Sequence, residues 1–325
     1  MIEFSEIKSK KWSQVGMRAT FGLICSEIRE GGKDIYIFTS DVSTSAGLDR
    51  FRKNFSNNYF DVGIAEQNLI GAAAGFASEG FDVITTTFAP FQTIRCAEQI
   101  KVNLGYMKNK ITMVGLASGL SLGNLGFTHC CIEDIGVLRS IPNIVIISPS
   151  DCVELAKALI ESINHKFSVY IRLTGSSPAT IINKYDYKFQ IGKAVILKKS
   201  EVKKIKVAIF CNGSIAKEVI VAGQILDEKK ISNDIINMHT IKPIDKEIIE
   251  HYCKNSDLIV SVEEHNIIGG LGSAISEVKS GILESPKQIY FGVNDYYSSS
   301  GNYENLLSKN NLLGTQIAKI IEEKI

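Results

Sequence analysis

A chain of 325 residues, 45% hydrophobic and 22% charged, has room for two ordinary domains and the balance of a globular protein. Its formal net charge of +1 gives no basis for a nucleic-acid or membrane-surface partner, and no apolar run reaches the length of a membrane span. The first residues carry no basic region followed by an apolar core, and the seven cysteines include no CxxC pair or zinc-ligand spacing. The expectation is therefore reduced thiols in a cytoplasm, with no leader and no metal site on this chain.

Along the first half, short apolar runs at 35–39, 83–87, 111–116, 144–147 and 169–173 read as strands, and helical periodicity between them spans 14–28, 66–77, 91–104, 132–140 and 152–163. Ser150-Asp151 with Glu154 forms a capping-box signature before the last of these helices. A loose stretch, Thr174-Gly175-Ser176-Ser177-Pro178, closes the block. The alternation restarts with a strand at 194–197, a lysine-rich segment at 198–206, strands at 207–210, 235–238, 258–262 and 289–291, and helices at 215–226, 246–252, 272–279 and 314–321. This pattern predicts an α/β fold of two doubly wound domains, 1–185 and 186–325, each a mainly parallel sheet flanked by helices.

Three clusters can carry chemistry. In Phe60-Asp61-Val62-Gly63-Ile64-Ala65-Glu66-Gln67-Asn68, one carboxylate sits where an extended segment turns into a slim helix containing Gly71 and Gly75. Thr86-Thr87-Phe88-Ala89-Pro90-Phe91 ends a strand, where parallel sheets gather ligands, and offers two phenyl rings to a flat heteroaromatic group. The loop from Gly119 to His129 holds glycines at 119, 123 and 126. Thr128-His129 is expected to open a helix, with an imidazole able to exchange a proton near neutral pH.

The Glu66 stretch resembles the cofactor-activating motif of the thiamine-diphosphate enzymes related to transketolase and 1-deoxyxylulose-5-phosphate synthase, and the likeness runs over nearly the whole chain. It implies that Glu66 and His129 carry catalysis. Glu66 would hold the ring nitrogen of the cofactor's aminopyrimidine, Phe91 would stack on that ring, and Phe88 and Asp41 would face the same pocket. His129 would contact a substrate oxygen, with Cys130 standing where transketolases have Gln. Arg18, Ser45 and Arg172 would hold the substrate's phosphate end. Ala117 and Leu125 fall where the family commonly has a phosphate-binding His and a hydroxyl-selecting Asp, so the resemblance implies an unusual sugar. The loop Gly269-Gly270-Leu271-Gly272-Ser273, after Glu263-Glu264-His265, resembles the family's C-terminal domain and reads as a turn and dimer contact rather than a phosphate site.

The family binds the diphosphate through Mg²⁺ on a separate domain with a GDG motif, and no GDG occurs here. The resemblance therefore implies one half of a split transketolase. A homodimer core of this chain would sit within an α2β2 heterotetramer whose other subunit carries the metal. Other readings remain open: half of a 1-deoxyxylulose-5-phosphate synthase, a 2-oxoacid dehydrogenase beta subunit, or a non-catalytic regulatory or structural protein on the same fold.

Overall fold

Strands in the computed structural model, which describes residues 2–325, form where the apolar runs fall. In chain order they are β1 (Ile35–Thr39), β2 (Tyr59–Asp61), β3 (Asp82–Phe88), β4 (Ile111–Leu116), β5 (Ile144–Ile147) and β6 (Ser168–Arg172). The second half adds β7 (Val195–Lys198), β8 (Ile205–Cys211), β9 (Asn233–Asn237), β10 (Thr240–Lys242), β11 (Ser256–Asn266) and β12 (Lys287–Val293). One sheet has the order β10-β5-β6-β4-β3-β1-β2 and the other β12-β11-β8-β9-β7. All pairs are parallel except β10 on β5 and β7 on β9.

The first sheet is buried on both faces, as a parallel sheet between helices must be. Every residue of β4 is buried. Val114 and Leu116 face a core shared with helices Glu6–Glu30 and Cys152–Asn164. Ile111 and Met113 face another, shared with helix Glu66–Ser78. That alternation is the period of two expected of a strand. The register pairs Thr39 with both Asp61 and Thr86, and Thr87 with Gly115, so the carboxyl ends of β1 to β4 come out level. In the second sheet Ile209 and Val260 pack toward Val219 and Ile317, whereas Phe210 and Ile259 pack toward Tyr252 and Ile275.

Several elements differ from expectation. The first helix starts at Glu6, where Ser5 accepts from the Lys8 N–H, and is kinked at Gly16 (φ 80°, ψ 172°). The expected helix at 91–104 is broken into Ala89–Gln92, Ala97–Gln99 and a π-turn over Ile100–Tyr106. No helix opens at Thr128-His129; the next one is Asp134–Arg139. Asp151 does cap Cys152–Asn164 by accepting from the Glu154 N–H at 2.8 Å. Glu154 itself reaches back to the Ser150 N–H at 2.6 Å, one residue earlier than a standard capping box.

The halves are not separate sheets. β10 leaves the second half and pairs antiparallel with β5, Thr240 opposite Ile147. A division at residue 186 falls in the irregular connection between β6 and β7, yet the first sheet is completed by residues beyond it.

Candidate active site

The level carboxyl ends of β1, β2, β3 and β4 carry the loops that hold most of the singled-out residues. Asp61, at the end of β2, organises the first two: its carboxylate accepts from the backbone N–H groups of Asp41 and Gly63, both at 3.0 Å. Asp41 is itself exposed and left-handed (φ 55°), a conformation that a short acidic residue tolerates. Ser40 donates to the Gly63 carbonyl and accepts from the Ala65 N–H. These ties fix the entry to helix Glu66–Ser78, which has no side-chain cap of its own.

Glu66 opens that helix with only 5% of its side chain exposed, and its Oε2 lies 2.8 Å from Nη1 of Arg95. A buried carboxylate must be paired or neutralised, and the helix N-terminus adds a favourable field. The Arg95 guanidinium also lies 4.1 Å from the centroid of the Phe91 ring.

Phe88 ends β3 in extended backbone, and Pro90 sits in the first turn of the four-residue helix that carries Phe91. The two rings are 6.4 Å apart and nearly perpendicular. His129 completes the group, 5.5 Å from Phe91 and 6.2 Å from Phe88. Its imidazole sits in a turn, held by a 3.0 Å hydrogen bond between Nδ1 and the Thr128 hydroxyl. The Gly119–Cys131 bridge closes this loop upon itself. Glu66, Arg95, Phe91, His129 and Phe88 thus form one chain of contacts at this edge of the sheet. Cys130, in the place of the expected Gln, points into the core with Leu120 and Ile132, and burial pushes its thiol up to about 11. It offers this site no polar group.

A cleft of about 190 Å³ lies along the same edge, lined by Arg18, Ala117, Ser121, Leu122 and the Thr174–Ser177 stretch. Arg18 follows the Gly16 kink by two residues. Gly22 and Gly47 touch so closely that a Cβ on Gly22 would lie 1.9 Å from the Gly47 carbonyl oxygen, which seats the Ser45 loop on the same helix. Ala117 is left-handed (φ 53°), and Leu125 is 52% exposed.

Arg172 does not stand where the resemblance places it. It is fully buried, donates from Nε to Asp134 at 2.9 Å and from Nη2 to the Glu264 carbonyl at 3.0 Å, and belongs to the junction of the two halves. Burial opposes its charge, but Asp134 more than compensates and raises its pKa. A guanidinium so enclosed is not presented to a substrate phosphate. The Gly269–Ser273 turn likewise has its helix N-terminus taken: Glu263 accepts from the N–H groups of Leu271 and Gly272 at 2.6 and 2.9 Å.

Arg95 and Asp61 were not singled out by sequence. Arg95 stands four residues after Phe91, a spacing that places two side chains on one helical face, and that signal was present. Among the described residues no group of three or more His, Cys, Asp or Glu is placed to hold a metal ion, and no helix is long and apolar enough to cross a membrane. All seven cysteines are unpaired and buried.

A carboxylate, an aromatic face and an imidazole gather at the carboxyl ends of the parallel sheet, the edge at which open α/β folds bind their ligands. The profile described as "Transketolase, pyrimidine binding domain" matches residues 13–178, and that described as "Transketolase, C-terminal domain" matches 192–310. The chain belongs to the transketolase family, of which it carries these two domains. It is 36% identical to a protein of Methanocaldococcus jannaschii described as a transketolase C-terminal section, covering 95% of this chain and 96% of that one. It is 39% identical to one of the subunits of an apulose-4-phosphate transketolase from Actinobacillus succinogenes, over 77% of this chain and 78% of the other. A solved structure described as a split-gene transketolase, inactive β4 tetramer, superimposes with a TM-score of 0.84 at 28% identity, covering 95% of this chain and 97% of that chain.

Proposed function

We propose that this chain is the cofactor-activating subunit of a split transketolase, which moves a two-carbon ketol unit from a ketose or ketose phosphate to an aldehyde. The observation that carries this reading is the placing of a buried carboxylate, Glu66, and the face of Phe91 around one flat group. Those two groups already hold one flat, nitrogen-rich cation, the Arg95 guanidinium, so they suit an aminopyrimidine in shape and hydrogen bonding. Thiamine diphosphate, when bound, would supply the electron sink that lets a carbon–carbon bond beside a carbonyl be broken and remade.

The residues then have distinct tasks. Glu66 holds a proton at the ring nitrogen, Phe91 and Phe88 orient the ring and exclude water, and Asp41 faces the same side. His129, beside both rings, exchanges a proton with a substrate oxygen. Arg18 and Ser45 receive the anionic end of the sugar; Arg172 has no part in this. Ala117 and Leu125 leave the adjoining wall without an imidazole or carboxylate, which suits a sugar altered at the centre beside its carbonyl. The apulose-4-phosphate specificity named for the Actinobacillus relative supports an uncommon sugar.

Mg²⁺ and the diphosphate would be held by a separate cytoplasmic partner with a GDG motif, in an α2β2 assembly around a dimer of this chain. The solved relative described as an inactive β4 tetramer supports a requirement for that partner. The test is co-expression with such a partner and a screen of ketose phosphates, branched and deoxy sugars included, for two-carbon transfer. Transfer that depends on both subunits is the expected result. Acetaldehyde-equivalent transfer from pyruvate, or acyl transfer to a lipoyl domain, would replace this reading with the synthase or dehydrogenase alternative.

A further inference from the structure

Arg95 makes the two contacts that the proposed site reserves for the cofactor's ring. Its Nη1 sits 2.8 Å from Glu66 Oε2, and its guanidinium lies 4.1 Å from the Phe91 centroid. A planar fork that pairs with a carboxylate and stacks on an aromatic face is a property of arginine that lysine lacks. With the guanidinium that close to the ring centroid, no second flat group fits between them. The two occupants exclude one another.

The backbone at Arg95 is anchored while its side chain is free to leave. Its N–H donates to the Pro90 carbonyl at 3.2 Å, and its carbonyl accepts from Gln67 Nε2 at 3.2 Å, so the turn is tied to the helix that begins with Glu66. The side chain is 43% exposed, against 5% for its partner carboxylate. Moving the guanidinium into water costs little for the cation, whereas the carboxylate left behind needs a new partner at once.

Resting on the functional reading above, we propose that Arg95 is a built-in stand-in for the aminopyrimidine. In the free chain it covers Phe91 and neutralises Glu66, and it swings out when the cofactor's ring arrives. The device keeps a buried carboxylate satisfied before assembly. It also lowers the apparent affinity of the free chain for the ring by the fraction of molecules in which Arg95 is in place. Cofactor capture then depends on the diphosphate anchorage that the partner brings. Arg95 is a positioning residue acting through Glu66 and Phe91.

The test uses the full chain without partner and a probe that lacks the diphosphate, 4-amino-5-hydroxymethyl-2-methylpyrimidine, titrated by NMR. Arg95→Ala should bind the probe on the order of 10-fold more tightly than wild type, since it removes an ion pair and a cation–π contact that compete. Arg95→Lys, which keeps the charge and loses the planar stack, should fall between. Adding Glu66→Gln to Arg95→Ala should reverse the gain. Equal or weaker binding by both Arg95 variants, with binding still sensitive to Glu66→Gln, would overturn the stand-in while leaving the site assignment intact. Binding that is absent or indifferent to Glu66→Gln throughout would remove the site assignment and the stand-in with it.

Discussion

Two buried carboxylates in this chain, Glu66 and Asp134, each face one arginine, and the difference between those arginines separates chemistry from architecture. Arg95 is 43% exposed and can leave Glu66; Arg172 is fully enclosed with Asp134 and cannot. Although burial opposes its charge, Arg172, with help from the Tyr170 hydroxyl, holds the Asp134 carboxyl below the ordinary range. Arg172→Met should therefore act on stability, lowering it by about 3–5 kcal/mol in denaturant titration because a buried charge loses its partner. A variant of wild-type stability with weakened binding of sugar phosphate would return Arg172 to the substrate. Glu66→Gln should do the opposite. In the reconstituted complex, turnover should fall on the order of 10²-fold or more, the scale of a positioned acid–base group, with melting of the chain little changed. Near-normal turnover would reduce Glu66 to a helix-start residue.

At the scale of elements, close backbone approach does what periodicity cannot reveal. Gly16 has φ 80°, and a Cβ there would lie 2.0 Å from Ser177 Oγ, so the first helix bends where the Thr174–Ser177 stretch crosses it. Gly16→Ala should cost about 1–3 kcal/mol from backbone strain, and Ser177→Gly should recover only the steric part. A double-mutant cycle in denaturant reads both; full recovery would mean the backbone is not strained. The long apolar strands were legible in sequence because they are buried on both faces and have few alternatives. The three-residue strands β2 and β10 and helix Tyr303–Lys309 were not, since so few residues carry no measurable period. The helix expected at 91–104 failed for a local reason: it breaks after Gln92, where the Thr93 hydroxyl bonds back to the Ala89 carbonyl. The Ser5 cap before Glu6 was a readable signal for the earlier helix start.

Across the whole molecule, the candidate residues that sequence could single out, Glu66, Phe88 and Phe91, each stand in a local motif just after or at the end of a strand. The fate of Arg172 was not legible, because its partners Asp134 and Glu264 stand 38 and 92 residues away in sequence. Those partners belong to a buried polar junction between the halves, which β10 and the Asn237 to Glu154 hydrogen bonds also cross. His265 lies in it, fully buried, within 3.9 Å of both Asp134 and Glu263. Its Nδ1–H donates to the Asn266 carbonyl at 2.7 Å and its Nε2 accepts from the Gly136 N–H at 3.2 Å, an arrangement that only the neutral ring satisfies. Burial accordingly lowers its pKa from 6.5 to about 4, against the pull of Asp134. A histidine with a depressed folded pKa contributes stability that is complete above 6.5 and is lost as pH falls toward about 4, because the unfolded chain then binds the extra proton. Glu263 and Asp151, which burial pushes up to about 7 and about 6, act with the opposite sign: their ionisation costs stability as pH rises. The raw pH profile mixes these slopes, so the measurement is a difference. His265→Gln keeps an acceptor for Gly136 and does not titrate. The stability advantage of wild type over this variant should shrink by on the order of 2 kcal/mol between pH 6.5 and pH 4. A difference that stays flat across that window would show that the ring is charged in the fold and that the junction is held by a cation there.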